Sequence, residues 1–155
     1  MDIRHATRAD IPIILTFIKE LAVYEKMADQ VEATETALEK WLFDDPKAHV
    51  FVVFEGRKAV GFSLYFTHFS TFKGKPGIYI EDIYIQKASR GKGYGKALFK
   101  RFAKMAKDED YGRIEWSCLD WNTPSIEFYL SLGAKPMKGW SVYRLEGDTI
   151  DDLLT

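Results

Sequence analysis

The run Ile78-Tyr79-Ile80-Glu81-Asp82-Ile83-Tyr84-Ile85 is almost entirely apolar, and it leads into Arg90-Gly91-Lys92-Gly93-Tyr94-Gly95. Beyond the last glycine, Leu98, Phe102, Met105 and Ala106 recur on one helical stripe. A strand buried on both faces, a glycine-rich turn and a helix in succession restrict the chain to an α/β or α+β architecture. They also build an anion site. The amides at a helix N-terminus are free, and the helix dipole favours negative charge there. Glycines let the main chain approach phosphate oxygens with no Cβ in the way. Two familiar phosphate loops fail the spacing. A Walker A loop needs glycine at 90 and Ser or Thr at 97, where Arg90 and Ala97 stand. A dinucleotide fingerprint starting at Gly91 needs glycine at 96, where Lys96 stands, and it usually opens the first βαβ unit. The pattern that fits is Arg-x-x-Gly-x-Gly at Arg90, Gly93 and Gly95.

Charge is concentrated at the same place. Lys87, Arg90, Lys92, Lys96, Lys100, Arg101, Lys104 and Lys107 give +8 with no acidic residue among them. The rest of the chain holds 14 basic against 23 acidic residues, a balance of −9. A cationic block on an anionic protein suits a polyanion at the block and a cation elsewhere. Duplex DNA would be repelled by the remainder. For a single lysine of the block, a solvated helix position is as good a reading as a phosphate contact.

The chain reads as one domain over residues 1–155, with no repeat, linker or low-complexity tract. At 155 residues, 46% of them hydrophobic, it is long enough for a sizeable core and too apolar for extended disorder. No window approaches a membrane span, and the N-terminus lacks the layout of a signal peptide. Cys118 is the single cysteine, which excludes an intrachain disulfide and makes a reducing, cytoplasmic setting the expectation. His5, His49 and His68 lack metal-ligand spacing, so no metal is expected. Asp10 reads as the N-cap of a helix over about 11–25, and Thr34 as the cap of a shorter one that ends at Asp45-Pro46. His49–Phe54 and Val60–Phe66 read as a hairpin, 67–77 as a loop, and Arg113–Leu119 as a strand. Pro124–Leu132 reads as a helix stopped by Gly133, and Trp140–Leu145 as a last strand. The order α, α, β, β, β, α, β, α, β predicts a mixed, mostly antiparallel sheet flanked by helices.

These residues carry a family resemblance. Arg90-Gly91-x-Gly93-x-Gly95 after Glu81-Asp82-Ile83-Tyr84-Ile85 resembles the coenzyme A pyrophosphate loop of the GNAT N-acetyltransferase superfamily. Asn122-x-x-Ser125-x-x-Phe128-Tyr129-x-x-x-Gly133-Ala134 resembles its second cofactor motif. The spermidine/spermine (diamine) and thialysine branch is closer still. That likeness rests on Ile18-Lys19-Glu20-Leu21-Ala22-x-Tyr24-Glu25, Tyr79–Tyr84, Trp121–Tyr129 and Gly139-Trp140. The four pieces occur in order and span nearly the whole chain.

The resemblance implies acetyl-CoA as co-substrate. The amides of Gly91, Lys92, Gly93, Tyr94, Gly95 and Lys96 then hold the pyrophosphate, and Arg90 adds charge. The sheet splays beside the loop, so that backbone groups of Ile83 and Ile85 pair with the pantetheine arm. Asn122 and Ser125 bind the same arm; on spacing alone Asn122 is equally a helix cap. The chemistry is attack of an amine on a thioester. An alkylammonium, with a pKa of ~10.4, must first lose a proton. A carboxylate in an apolar strand is driven toward neutrality by burial, which suits a general base. By resemblance Glu81 is that base. Asp82 points to the opposite face unless the strand is bulged, and is assigned to the cationic substrate. Tyr129 matches the tyrosine that protonates the leaving thiolate; as a lone residue it would read as core edge. Glu25 and Trp140 match substrate-side positions.

The acceptor is the open point. Lys138 stands where polyamine-type members are acidic, and Ser70-Thr71-Phe72-x-Gly74 leans toward the thialysine side. The expected acceptor is a small diamine, polyamine or lysine-like (thialysine-type) amine, with the lysine-like or short diamine favoured, by direct transfer with no covalent intermediate. The resembling branch is dimeric, so a homodimer is expected; neither nucleic acid nor a membrane is expected as a partner. Transfer to a protein lysine or N-terminus, a coenzyme A sensor without turnover, and a nucleotide-anion or nucleic-acid binder using the +8 segment are the competing readings.

Overall fold

A computed structural model describes all 155 residues. Five strands, β1 (Asp2–His5), β2 (His49–Glu55), β3 (Lys58–Ser70), β4 (Lys75–Ile85) and β5 (Ile114–Trp116), lie in one sheet in chain order. The first four pair antiparallel; β2, β3 and β4 follow one another through tight turns, while the helical segment 6–48 separates β1 from β2. β5 pairs parallel with β4, and the crossover between them is a helix, α3 (Tyr94–Asp108). This is the mixed, mostly antiparallel sheet flanked by helices that the residue pattern predicts.

Alternation along the strands supplies two buried faces. On one, Val50, Val52 and Phe62 pack with Ile11, Ile14 and Phe17 of α1 (Ile11–Tyr24) and Leu38 of α2 (Glu35–Glu39). On the other, Phe51 and Tyr65 meet Phe102 of α3, with ring centroids 5.5 and 5.1 Å apart. Phe17, Phe51, Phe62 and Phe102 are all fully buried. Truncating any of them to alanine costs about 3–5 kcal/mol.

Several boundaries differ from expectation. Asp10 stands at the N-cap position of α1 as expected, but its side chain makes no capping bond to the helix. Its carboxylate accepts the Thr7 amide and hydroxyl at 2.7 and 3.1 Å and Arg4 at 2.7 Å, so it ties the turn before the helix. Thr34 does cap α2, its hydroxyl accepting the Ala37 N–H at 3.1 Å. The expected loop over 67–77 is mostly strand, because Thr67–Ser70 pair with Lys75–Ile78. Gly77 permits this: a Cβ there would lie 2.5 Å from His68 Nε2 and 2.8 Å from the Arg113 carbonyl. β5 is shorter than Arg113–Leu119, and β1 lies outside the expected order. Its four residues are too few to show a period, and pairing with β2 decides it.

Residues Met1–Leu119 form one compact unit and Asp120–Thr155 another. The second holds α4 (Thr123–Ser131) and the short α5 (Asp148–Asp151). Gly133, at φ +87°, ends α4, and the Ala134 N–H donates back to the Tyr129 carbonyl at 3.2 Å. The expected strand at Trp140–Leu145 is not formed. The segment has strand-like composition, but its backbone pairs with no strand, and Trp140, Val142 and Tyr143 are each more than 80% exposed. No helix is long and apolar enough to cross a membrane.

Candidate active site

The glycine-rich turn runs from the end of β4 into α3. Gly91 and Gly93 adopt φ +77° and +86°, the left-handed region that side-chain-bearing residues avoid. Space is not the reason for either glycine, since nothing lies within 4 Å of an added Cβ. Ala97 makes the first helical bond, to the Gly93 carbonyl at 3.0 Å. The amides of Tyr94, Gly95 and Lys96 therefore have no helical acceptor and cluster at the positive end of the dipole. Lys96 is exposed.

One acidic residue that sequence reasoning passed over organises this turn. Glu55, at the end of β2, accepts Lys92 Nζ at 2.7 Å and the Ser89 hydroxyl at 3.2 Å, and also bonds Tyr94. These partners, Lys92 first, hold its carboxyl below the usual range. A carboxylate in a solvent-facing hairpin turn carries no local pattern; only the β2–β3 pairing brings it to the loop. Arg90 also has a structural position. Its Nε donates to the Ile85 carbonyl at 2.8 Å, and its guanidinium lies over the rings of Tyr24 and Tyr84 at 5.0 and 5.7 Å. It joins the end of β4 to the end of α1.

β4 is irregular where chemistry is expected. Its pairing with β5 stops at Ile80 and Trp116, so no strand lies along its outer edge from Glu81 to Ile85. Its inner edge stays paired with β3 as far as Ile85 and Gly61. The backbone of Ile83 and Ile85 thus borders an opening in the sheet. A bulge falls at the same point: Tyr65 faces Ile80 and Leu64 faces Asp82, with Glu81 as the extra residue. Glu81 is exposed, which corrects the expectation of a carboxylate buried in an apolar strand, while Asp82 is half-buried. Burial, then the charges of Glu81 and Glu25, push the Asp82 carboxyl up to about 7. Burial first, and then Glu81, also raises Glu25, the residue that closes α1. The three carboxylates therefore share one locality.

In the second unit, Ser125 and Tyr129 lie one turn apart on α4 and are both half-buried. Asn122 is buried just before the helix, but its side chain makes no capping bond to it. Trp140 lies in the exposed segment that follows.

A glycine turn at a helix N-terminus offers free amides to an anion, and the same unit holds an opened parallel edge and a bulged pair of carboxylates. The model of the acetyltransferase (GNAT) family matches residues 15–134. The chain belongs to the GNAT acetyltransferase family. It is an N-acetyltransferase, a transferase of the acyltransferase type. A thialysine N-epsilon-acetyltransferase of Bos taurus is 36% identical over 163 residues, covering 97% of this chain and 95% of that one. An L-ornithine N5-acetyltransferase of Arabidopsis thaliana is 31% identical, covering 96% and 85%. Among solved structures, an integron cassette protein from the mobile metagenome of V. cholerae superposes with a TM-score of 0.81 at 26% identity, over 99% of this chain and 96% of that one. GNAT enzymes use acetyl-CoA as the acyl donor.

Proposed function

We propose that this GNAT enzyme transfers the acetyl group of acetyl-CoA directly to the primary amine of a small lysine-like or short diamine acceptor, with residues 1–155 acting as one acetyltransferase domain. One observation carries the acceptor assignment. Glu25, Glu81 and Asp82 repel one another, and none makes an ion pair or a side-chain hydrogen bond within the chain. Three uncompensated carboxylates beside an opened strand edge suit an alkylammonium ligand. The likeness to thialysine and ornithine acetyltransferases supports the same class. Lys138 disfavours a long polycation.

In this reading the amides of Gly91 through Lys96 hold the pyrophosphate, with Lys92 and Arg90 supplying charge. The open edge at Ile83 and Ile85 receives the pantetheine arm, which Asn122 and Ser125 also bind. Glu25 and Trp140 hold the acceptor, one carboxylate of the Glu81–Asp82 pair takes its proton, and Tyr129 protonates the leaving thiolate. A homodimer is part of the proposal, supported by the exposed apolar segment around Trp140, Val142 and Tyr143. The lone thiol of Cys118 supports a reducing, cytoplasmic setting.

The test is mass spectrometry of products from acetyl-CoA and a panel of thialysine, ornithine, lysine, putrescine, spermidine, spermine and a lysine peptide. The short acceptors are expected to be acetylated far faster than spermine. Product from the peptide alone favours a protein acceptor, and coenzyme binding with no product from any member refutes the amine transfer. Tyr129→Phe is expected to lower kcat by roughly 10²-fold with KM little changed.

A further inference from the structure

We propose that Asp82, and not its neighbour Glu81, accepts the proton that the acceptor ammonium must lose. The inference rests on the acetyl-transfer reading above and assigns one step within it.

The bulge decides which carboxylate is turned inward. Ile80 pairs with Tyr65, whose ring packs on Phe102 of α3, so both lie on the α3 face. Asp82 pairs with Leu64, and Leu64 and Tyr84 both pack into the α1 cluster. Ile80 and Asp82 are two residues apart yet lie on opposite faces, because Glu81 is inserted between them. Asp82 thus sits under the end of α1, between Leu64 and Tyr84, and Glu81 is left in solvent.

The groups around Asp82 give it no counter-charge. Glu81 is beside it on β4, and Glu25 faces it from the end of α1. Glu20 of α1 is engaged with the Tyr84 hydroxyl at 2.9 Å and with Gln86 at 3.3 Å. The Arg90 guanidinium lies over the rings of Tyr24 and Tyr84. From β3, the Ser63 hydroxyl donates at 2.8 Å to the Asp82 backbone carbonyl, not to its carboxylate. Glu25, Glu81 and Asp82 also have no arrangement that could hold a metal ion. A half-buried carboxylate with two like charges near it and no cation, in a chain with 22 basic residues, is matched to a cation from outside. A proton affinity near neutrality lets it take a proton and release it again at working pH.

Asp82 takes one proton from R–NH3⁺, and the freed lone pair forms the C–N bond to the thioester carbonyl. The C–S bond then breaks with its electron pair going to sulfur. The nitrogen loses its second proton as the thiolate gains one, and the proton on Asp82 passes to solvent. One proton is released per acetyl group transferred.

The test compares Asp82→Asn, Glu81→Gln and the wild type in kcat from pH 5 to 10, on the best acceptor of the panel. Asp82→Asn is expected to lower kcat at pH 7 by roughly 10²–10³-fold, to abolish the acid limb near pH 7, and to recover as the free amine accumulates at high pH. Glu81→Gln is expected to raise KM for the amine and keep that limb. The reverse pattern overturns the assignment. A second measurement follows the Asp82 carboxyl carbon by NMR in the wild-type protein. A midpoint near 7 supports the proposal and one near 4 overturns it. Wild-type enzyme that acetylates no amine refutes the underlying reading, and the assignment falls with it.

Discussion

Leu64 stands opposite Asp82, although Tyr65, one residue further along β3, stands opposite Ile80, so Glu81 has no partner across the hairpin. Ser63 secures this arrangement. It is fully buried, and its hydroxyl donates to the Asp82 carbonyl at 2.8 Å. Ser63→Ala leaves that carbonyl without its side-chain donor. It is expected to lower unfolding free energy in urea by about 1–2 kcal/mol. An unchanged midpoint means that the bulge holds without this bond.

Asp82 also makes stability depend on pH. Its folded value is raised from 3.8 to about 7, so the folded chain binds this proton more tightly than the unfolded chain does. Its contribution is fully present below about pH 4 and is lost as pH rises through 7. Asp82→Asn removes the dependence. Measured by thermal melts from pH 4 to 9, the variant is expected to gain on the wild type steadily up to about pH 7 and then level off. The gain is at most about 4 kcal/mol at 1.36 kcal/mol per pKa unit. A constant difference across that range refutes the raised carboxyl.

Glu55 places a negative charge against the loop assigned to a pyrophosphate, while tying down Lys92 at 2.7 Å. Glu55→Gln removes the charge, keeps an acceptor for Ser89, and frees Lys92 for the coenzyme. KM for acetyl-CoA is expected to fall about threefold at low ionic strength, with the effect gone in roughly 0.5 M salt. A rise in KM shows instead that ordering the loop is the larger contribution of Glu55.

The segment after Gly139 leaves Trp140 81% and Tyr143 93% exposed. The proposed dimer would cover these aromatics. Sedimentation is expected to show a dimer for the full chain and a monomer for one ending at Gly139, with the far-UV spectrum otherwise preserved. A shortened chain that remains dimeric places the interface elsewhere.

The glycine-rich turn was legible because its information is local. Gly91 and Gly93 are needed for their own backbone angles, and Leu98 and Phe102 declare the next helix by period alone. The family could be read from the same short-range spacing, around Arg90 and between Asn122 and Tyr129. Trp140–Leu145 misled for the complementary reason. Its residues favour a strand, but a strand forms only where another supplies its hydrogen bonds, and composition cannot report that supply. Glu55 was missed because a turn carboxylate is ordinary until the sheet carries it to Lys92.

What the sequence determined by itself was the order of elements from α1 to α4, the glycine-rich turn and the presence of adjacent carboxylates on an apolar strand. Each depends on residues a few positions apart. Only the tertiary structure decided that Glu81 faces water and Asp82 lies under α1 beside Glu25. That choice comes from one unpaired residue in the β3–β4 register. A register is set by packing and hydrogen bonding between segments, and shifting it by one residue changes which side chain is buried.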